Sequence, residues 1–268
     1  MLVICSGMIR SGSTLQYNVA RSIVEAMLSG KGEGWISPDR LEEKRSEMME
    51  WAHDETIHII KSHVIPRYLI DLGDDEAVRF CYIYRDIRDV AVSVKNKWGH
   101  EREKLLEALD KAVATYYEIQ NLRPVLMQSY ECVINNLSAM TREIANFLGL
   151  HPTDDIISRV VEENSLEKAQ QTAIKTSRDF SKIMKSVLMR IGLRLRAQHV
   201  MRIIGIPESW RRSLRDALIF QDDRTLLHPD HISKSKGAVG VWREELAEEE
   251  IRIISNRYEN WLRETGFD

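Results

Sequence analysis

Residues 4–15 read ICSGMIRSGSTL, an apolar strand that runs into a glycine-bounded loop and then into a helix. Gly7 and Gly12 have the glycine spacing of the phosphate-binding loop G-x-x-x-x-G-K-S/T. Ser13 stands where that loop has its lysine, and the basic residue is Arg10 instead. Backbone N–H groups at the start of a helix can still bind a phosphate, but the lysine that reaches the β- and γ-phosphates of ATP or GTP is missing. The loop therefore predicts a phosphorylated nucleotide other than an ordinary triphosphate.

Strand and helix patterns alternate over the first 150 residues. Short runs rich in β-branched or aromatic residues predict strands at 2–5, 56–61, 79–84 and 125–130. Apolar periodicity predicts helices at 13–29, 87–98, 105–122 and 137–148, and the glycines of 30–34 predict a flexible turn. This alternation predicts an α/β fold with a central parallel sheet flanked by helices. The rest of the chain is predicted to be mostly helical, within one domain of residues 1–268.

Composition narrows the class of protein. Apolar content of 43% and charged content of 29% are ordinary for a globular protein, and the net charge of −3 argues against a nucleic-acid binder. The three cysteines form neither a metal-ligand cluster nor a disulfide framework. The N-terminus begins with a strand and has no signal-peptide pattern, and no apolar run approaches the ~18 residues of a transmembrane helix. We therefore expect a cytoplasmic protein without a membrane anchor.

Three further segments carry a family resemblance. Residues 60–66 (IKSHVIP) resemble the K-T-H-x-P segment of nucleotide-dependent sulfotransferases, and residues 84–93 (YRDIRDVAVS) resemble their 3′-phosphate signature. Residues 236–243 (KGAVGVWR) are similar to their C-terminal R-K-G-x-x-G-x-W-K segment. Together with the loop, the four segments follow the order of that family. The motifs are closest to those of cytosolic and bacterial small-molecule sulfotransferases with a P-loop-like fold.

The resemblance implies a donor, 3′-phosphoadenosine 5′-phosphosulfate (PAPS), whose product is 3′-phosphoadenosine 5′-phosphate (PAP), and it implies no metal. The sequence departs from the family pattern at three positions. At two of them, in the loop and in the adenine segment, leucine replaces an aromatic residue that would contact adenine. At the third, Ser235 replaces an arginine near the 3′-phosphate. The residues implied for the 5′ end are Arg10, Ser11, Gly12, Ser13, Thr14 and Leu15. Those implied for the 3′-phosphate are Arg85, Ser93, Lys236 and Gly237, and those implied for adenine are Tyr130, Ser165 and Leu166.

The resemblance also implies three catalytic residues. His63 stands where the cytosolic branch has the base that takes the acceptor's proton. Arg10 stands where that branch has a lysine and protein-tyrosine sulfotransferases have an arginine, on the leaving-group side. Lys61 would neutralise the sulfuryl oxygens. The implied reaction is an in-line displacement at sulfur.

Other interpretations stay open at the level of sequence. A P-loop kinase and a non-catalytic nucleotide-binding module both fit the loop, although the third predicted strand is followed by Arg85 and not by a metal-binding aspartate. Arg85–Asp86 and Arg88–Asp89 also fit ion pairs at a helix start. Lone histidines such as His63 are more often structural.

The acceptor is the least determined part. The many polar residues and the aromatic content of 7% favour a small polar metabolite that offers a hydroxyl or an amine, as in bacterial secondary metabolism. A variable acceptor-side region is expected at about 170–230. Its basic stretch, 175–215, fits a solvated helix face, a cap over the acceptor, or a docking site for an acidic carrier protein or an anionic membrane. Whether the chain forms a homodimer is undecided, since 247–268 lacks the family's dimer motif.

Overall fold

The computed structural model describes residues 1–73, 75–172, 224–227 and 237–268. The chain divides into two units, Met1–Asn164 with Ser233–Asp268, and Ser165–Ile232. Three predictions lie wholly or mostly outside the described residues: Lys236, the basic stretch 175–215, and the acceptor-side region apart from 170–172 and 224–227. In the second unit, residues 166–172 are helical.

A parallel sheet of five strands forms the centre of the first unit, in the order β2-β3-β1-β4-β5. Every residue of β1 and β3 is buried, because these strands have neighbours on both sides and helices over both faces. Cys5 and Cys81 lie opposite each other in this sheet as free thiols. The strands are β1 (Leu2–Gly7), β2 (Gly30–Trp35), β3 (Ile57–Lys61), β4 (Val78–Tyr84) and β5 (Val125–Ser129).

Helices connect the strands and follow the sheet, which confirms the predicted α/β class. No helix in the described ranges combines the length and the apolar character needed to cross a membrane. Counted along the first unit, the helices are α1 (Ser13–Ala26), α2 (Arg45–His53), α3 (Arg67–Asp71), α4 (Ile87–Trp98), α5 (Arg102–Ile119), α6 (Tyr130–Asn135), α7 (Leu137–Phe147), α8 (Asp154–Glu163), α9 (Trp242–Glu245), α10 (Glu248–Arg257) and α11 (Glu259–Thr265), with a short 3₁₀ turn at Pro38–Arg40.

The prediction of a flexible turn at 30–34 is wrong, because these residues form most of strand β2, at the edge of the sheet. Two of its glycines, Gly30 and Gly32, allow close packing. A Cβ on Gly30 would lie 1.9 Å from the carbonyl oxygen of Ile57, and one on Gly32 would lie 2.6 Å from the Tyr17 hydroxyl. Only glycine lets this strand approach its neighbours so closely.

Two hydrophobic clusters pack against the sheet. One contains Met48 of α2 and Leu69 of α3 together with β1 residues. The other joins α4 and α5 to Trp242 and Trp261 of the C-terminal helices. The second cluster fixes the C-terminal segment against α4, so that the glycine-rich residues before α9 lie near the carboxyl ends of the strands.

Candidate active site at the carboxyl edge of the sheet

The loop between β1 and α1 is held in a strained shape. Arg10 has φ 62° and Gly12 has φ 90°, both in the left-handed region. The N–H of Ser11 donates to the Met8 carbonyl (3.1 Å), and the Ser11 hydroxyl contacts the carbonyl oxygens of Met8 (2.6 Å) and Ile83 (2.8 Å). Ser11 is fully buried and fastens the loop to β4, so a contact between its hydroxyl and a donor stays a prediction.

The other loop residues lie at the start of α1. Gly12 is the residue before the first helical turn, and its carbonyl accepts from the N–H groups of Leu15 (2.8 Å) and Gln16 (3.2 Å). Ser13 and Thr14 are buried in that first turn, and Leu15 is half-buried. Helix N-termini present unpaired N–H groups and a positive partial charge, which suits a phosphate.

Arg10 and Ser93 form a direct bridge between the two predicted phosphate sites. The Nε of Arg10 donates to the Ser93 hydroxyl oxygen at 2.9 Å. Ser93 lies on α4, two turns after the end of β4. The loop and the helix that follows the 3′-phosphate signature are therefore in contact.

Lys61, the last residue of β3, reaches the same loop. Its Nζ donates to the Thr14 hydroxyl at 2.7 Å and lies 5.5 Å from the centre of the Trp35 ring. Burial, together with the positive charges of Arg10 and Lys97, lowers the pKa of Lys61 to about 8. The charges of Arg10, Lys61 and Lys97 therefore act on one region at the carboxyl ends of the strands. This arrangement favours the binding of an anion.

His63 lies two residues after Lys61 and beside the same tryptophan. Its ring meets the Trp35 ring edge-on with centroids 5.2 Å apart. Desolvation and the Lys61 charge lower the pKa of His63 to about 4. His63 is exposed to solvent, and the lowered pKa keeps its imidazole neutral at pH 7.

Arg85 follows β4 and is almost fully buried. Its Nη2 donates to the Ala238 carbonyl at 2.7 Å and to Asp89 Oδ2 at 3.3 Å. The guanidinium carbon lies 4.6 Å from the centre of the Tyr130 ring. Within the described part of the chain, the buried Nε of Arg85 has no hydrogen-bond partner, which leaves one donor of the fork available to a ligand.

Tyr130 packs between the two glycine segments. A Cβ on Gly12 would lie 2.8 Å from its ring, and the Tyr130 hydroxyl donates to the Gly237 carbonyl at 2.9 Å. Glycine suits position 237 for two reasons. Its φ is 80°, in the left-handed region, and a Cβ there would lie 2.4 Å from the Tyr130 hydroxyl oxygen. These contacts make Tyr130 a spacer between the loop and the C-terminal segment, and its contact with adenine stays a prediction.

Comparison with known proteins identifies the family. The family model for the sulfotransferase domain matches residues 3–219. The chain belongs to the sulfotransferase family. A comparison with curated proteins finds no match.

Solved structures agree with this family at the level of the fold. Retinol dehydratase in a complex with retinol and PAP is similar with a TM-score of 0.56 and 17% identity, over 97% of this chain and 81% of that one. Mouse sulfotransferase SULT7A1 complexed with PAP is similar with a TM-score of 0.55 and 14% identity, over 98% and 83%. At these identities the likeness concerns the fold alone.

In this sulfotransferase, the sheet edge collects most of the predicted site. The described side chains that are brought together there are Arg10, Ser13, Thr14, Lys61, His63, Arg85, Ser93 and Tyr130, with Gly12 and Gly237. Ser165 and Leu166 belong to the second unit. There the Ser165 hydroxyl accepts from the Lys168 N–H at 3.3 Å, and Leu166 is half-exposed. Their contact with adenine stays a prediction.

The ion pairs differ from the ones that neighbouring residues in the sequence suggested. Arg88 pairs with Asp86 at 2.8 Å, and Arg85 pairs with Asp89 at 3.3 Å. The Asp86 side chain caps α4 by accepting from the Arg88 N–H, which leaves it beside Arg88 and not Arg85. Arg85 lies just before α4, and Asp89 in the first turn of that helix faces it.

Sequence reasoning missed Trp35 and Asp89. Trp35 was overlooked because its strand was taken for a turn, although strand pairing places it opposite Lys61. Asp89 is fully buried and accepts hydrogen bonds from residues about 150 positions further along the chain. Its place four residues after Arg85 was a signal for the ion pair, but no local signal pointed to its contacts with Gly240 and Trp242.

Proposed function

We propose that this protein transfers a sulfuryl group from PAPS to a hydroxyl or amine of a small polar metabolite. The observation that carries the proposal is the convergence of Arg10, Lys61 and His63 at the phosphate-binding loop, with Arg10 bonded to Ser93 and Lys61 bonded to Thr14. Family membership supports the same activity. The two solved relatives named above are complexes with PAP.

The residues fit a nucleotide with two separate anionic groups. The start of α1, with Arg10 and Lys61 beside it, suits the 5′-phosphosulfate. Arg85 and Ser93, with Gly237 nearby, suit a terminal 3′-phosphate, and the unpaired buried Nε of Arg85 supports this assignment. In the described part of the chain, no group of three or more His, Cys, Asp or Glu residues could hold a metal ion. The proposal gives the charge stabilisation to the basic side chains.

The proposed chemistry divides between the two sides of the sulfur. His63 accepts the proton of the acceptor's hydroxyl or amine as the new bond to sulfur forms. In the neutral imidazole one ring nitrogen carries no proton, and that nitrogen acts as the base. As the bond from sulfur to the bridging oxygen breaks, that oxygen gains the electron pair, and Arg10 stabilises the charge. Lys61 neutralises the sulfuryl oxygens, and PAP leaves with its 5′-phosphate intact.

The experiment that tests this function is calorimetric binding of PAP in the absence of magnesium, with 5′-AMP and ATP as comparisons. We expect PAP to bind at least about 100-fold more tightly than 5′-AMP, since the 3′-phosphate gains charge-assisted hydrogen bonds. Arg85→Ala should remove most of this preference, and Lys95→Ala, which breaks only the ion pair with Glu250, should keep it. Equal affinity for PAP and 5′-AMP, or magnesium-dependent turnover of ATP, would contradict the proposal and favour the kinase alternative.

The dependence of kcat/KM on pH provides a second test. His63 must be neutral to act as a base, so kcat/KM should fall as the pH drops through its pKa, which lies below the ordinary value of 6.5. Lys61 must be charged, so kcat/KM should fall again as the pH rises through about 8. In Lys61→Arg the alkaline decline should move beyond the measurable range, because arginine keeps its charge. An alkaline decline that is unchanged in this variant would exclude Lys61 as its source.

A further inference from the structure

Asp89 is a buried carboxylate that joins α4 to the C-terminal glycine segment. Its Oδ2 accepts from the Gly240 N–H at 2.7 Å, and its Oδ1 accepts from the Trp242 N–H at 3.0 Å. Oδ2 also accepts from Arg85 Nη2 at 3.3 Å. With no accessible surface, this carboxylate depends on these donors, and the donors depend on it.

The three donors belong to two parts of the proposed 3′-phosphate site. Arg85 supplies the guanidinium, and residues 237–242 form the segment that follows Lys236. The Ala238 carbonyl also accepts from Arg85, and Gly240 has φ 78°. One carboxylate therefore sets both the plane of the guanidinium and the path of the segment.

Asparagine could not replace this carboxylate. Both N–H groups need an acceptor, and an amide offers one oxygen and one NH₂ group. The NH₂ group would face a backbone N–H, which would separate the segment from α4 or turn the side chain away from Arg85. A buried guanidinium without its counter-charge would also lose its fixed position.

We propose that Asp89 is a positioning residue for the donor's 3′-phosphate: it holds Arg85 and residues 237–242 in the arrangement that binds this group. The inference rests on the proposed function. It assigns to Asp89 no contact with the nucleotide and no part in the chemical step. Its effect should therefore appear in the affinity for nucleotides that carry a 3′-phosphate.

The test compares Asp89→Asn with Asp110→Asn in calorimetric titrations with PAP and with 5′-AMP. Asp110 is the matched control, because it pairs with Arg257 and Tyr258 in the C-terminal helices and loses the same charge. In Asp89→Asn we expect PAP affinity to fall at least about 30-fold. Affinity for 5′-AMP should change by less than about threefold, and the control should resemble the wild type. Equal losses for the two nucleotides would indicate a general structural role and overturn the proposal.

Amide hydrogen exchange of peptides covering 237–245 gives a readout that needs no nucleotide. Exchange should accelerate in Asp89→Asn and stay unchanged in Asp110→Asn, because only the first loses acceptors for these N–H groups. Unchanged exchange, or faster exchange with intact preference for PAP, would overturn the proposal. If the wild type itself does not distinguish PAP from 5′-AMP, the proposed function fails while the exchange result still reports on Asp89.

A second variant covers the case in which Asp89→Asn does not fold. Gly240→Ala keeps the buried carboxylate but strains the segment, because its φ is 78° and the new Cβ would lie 2.7 Å from Arg243 Nη1. It should weaken PAP more than 5′-AMP, in the same direction as Asp89→Asn. Preserved PAP preference in this variant would contradict the positioning role of the segment.

Discussion

Replacing His63 by alanine should lower kcat for sulfuryl transfer by about 10²- to 10⁴-fold. The loss follows from the proposed role of the imidazole, which takes the acceptor's proton as the bond to sulfur forms. PAP affinity should change by less than about threefold, because no described phosphate-site contact passes through His63. The measurement is single-turnover transfer at saturating donor, paired with PAP titration of the same variant.

His53→Ala is the control for this experiment. It makes the same substitution, histidine to alanine, at a position that is exposed at the end of α2. Added imidazole should partly restore transfer in His63→Ala by supplying the missing base, and it should leave the control unaffected. A variant that transfers at the wild-type rate would assign the base to another group. If the transfer rate at saturating donor were retained while PAP affinity fell, His63 would be a residue of the donor site and not the base.

His58 is poorly placed to act in its stead. It lies in β3 three residues before Lys61, and its ring contacts Asp54 (2.8 Å) and Glu33 (2.7 Å) on opposite nitrogens. It also stacks on Trp51 with centroids 5.5 Å apart. Both ring nitrogens are already engaged, so His58→Asn should lower the stability of the protein more than its rate of sulfuryl transfer.

The sequence predicted those parts of the fold whose local pattern and packing agree. Helix α4 spans the residues that its apolar periodicity predicted, and β4 follows its β-branched and aromatic run. The prediction for strand β2 failed because glycine in isolation is a turn signal, whereas here Gly30 permits β2 to approach Ile57 of β3. That need arises only once β3 is in place, so no local pattern contains it.

The candidate site divides in a similar way. The glycine loop and Arg85 were predicted from short motifs, since phosphate binding requires these residue types at fixed spacing. Asp89 could not be assigned, because its partners Gly240 and Trp242 become neighbours only through the packing of the C-terminal helices on α4. The position of the Tyr130 ring depends on contacts with Gly12 and Gly237, which lie in distant segments, so the motif around Tyr130 could not predict it.

Arg10→Ala should lower kcat by about 10²- to 10³-fold, the loss typical of removing one group that stabilises a developing charge. The Nε bond to Ser93 fixes the guanidinium beside the loop, so its charge is in place before the bond to the bridging oxygen breaks. PAP affinity should fall much less than kcat, since an interaction made mainly in the transition state contributes little to ground-state binding. Rapid-quench measurement of one turnover separates these quantities.

Two matched variants identify which property of Arg10 matters. Arg10→Lys keeps the charge and should retain most of the activity, whereas Arg10→Gln keeps hydrogen-bonding capacity without charge and should resemble alanine. Ser93→Ala removes the hydrogen bond from Arg10 Nε and also a proposed ligand of the 3′-phosphate. At saturating donor, its kcat should therefore lie between the wild type and Arg10→Ala, and its PAP affinity should fall. If Arg10→Ala instead raised the donor KM with an unchanged kcat, Arg10 would be a ground-state phosphate ligand. Stabilisation of the leaving oxygen would then rest on Lys61, which already reaches the same loop through Thr14.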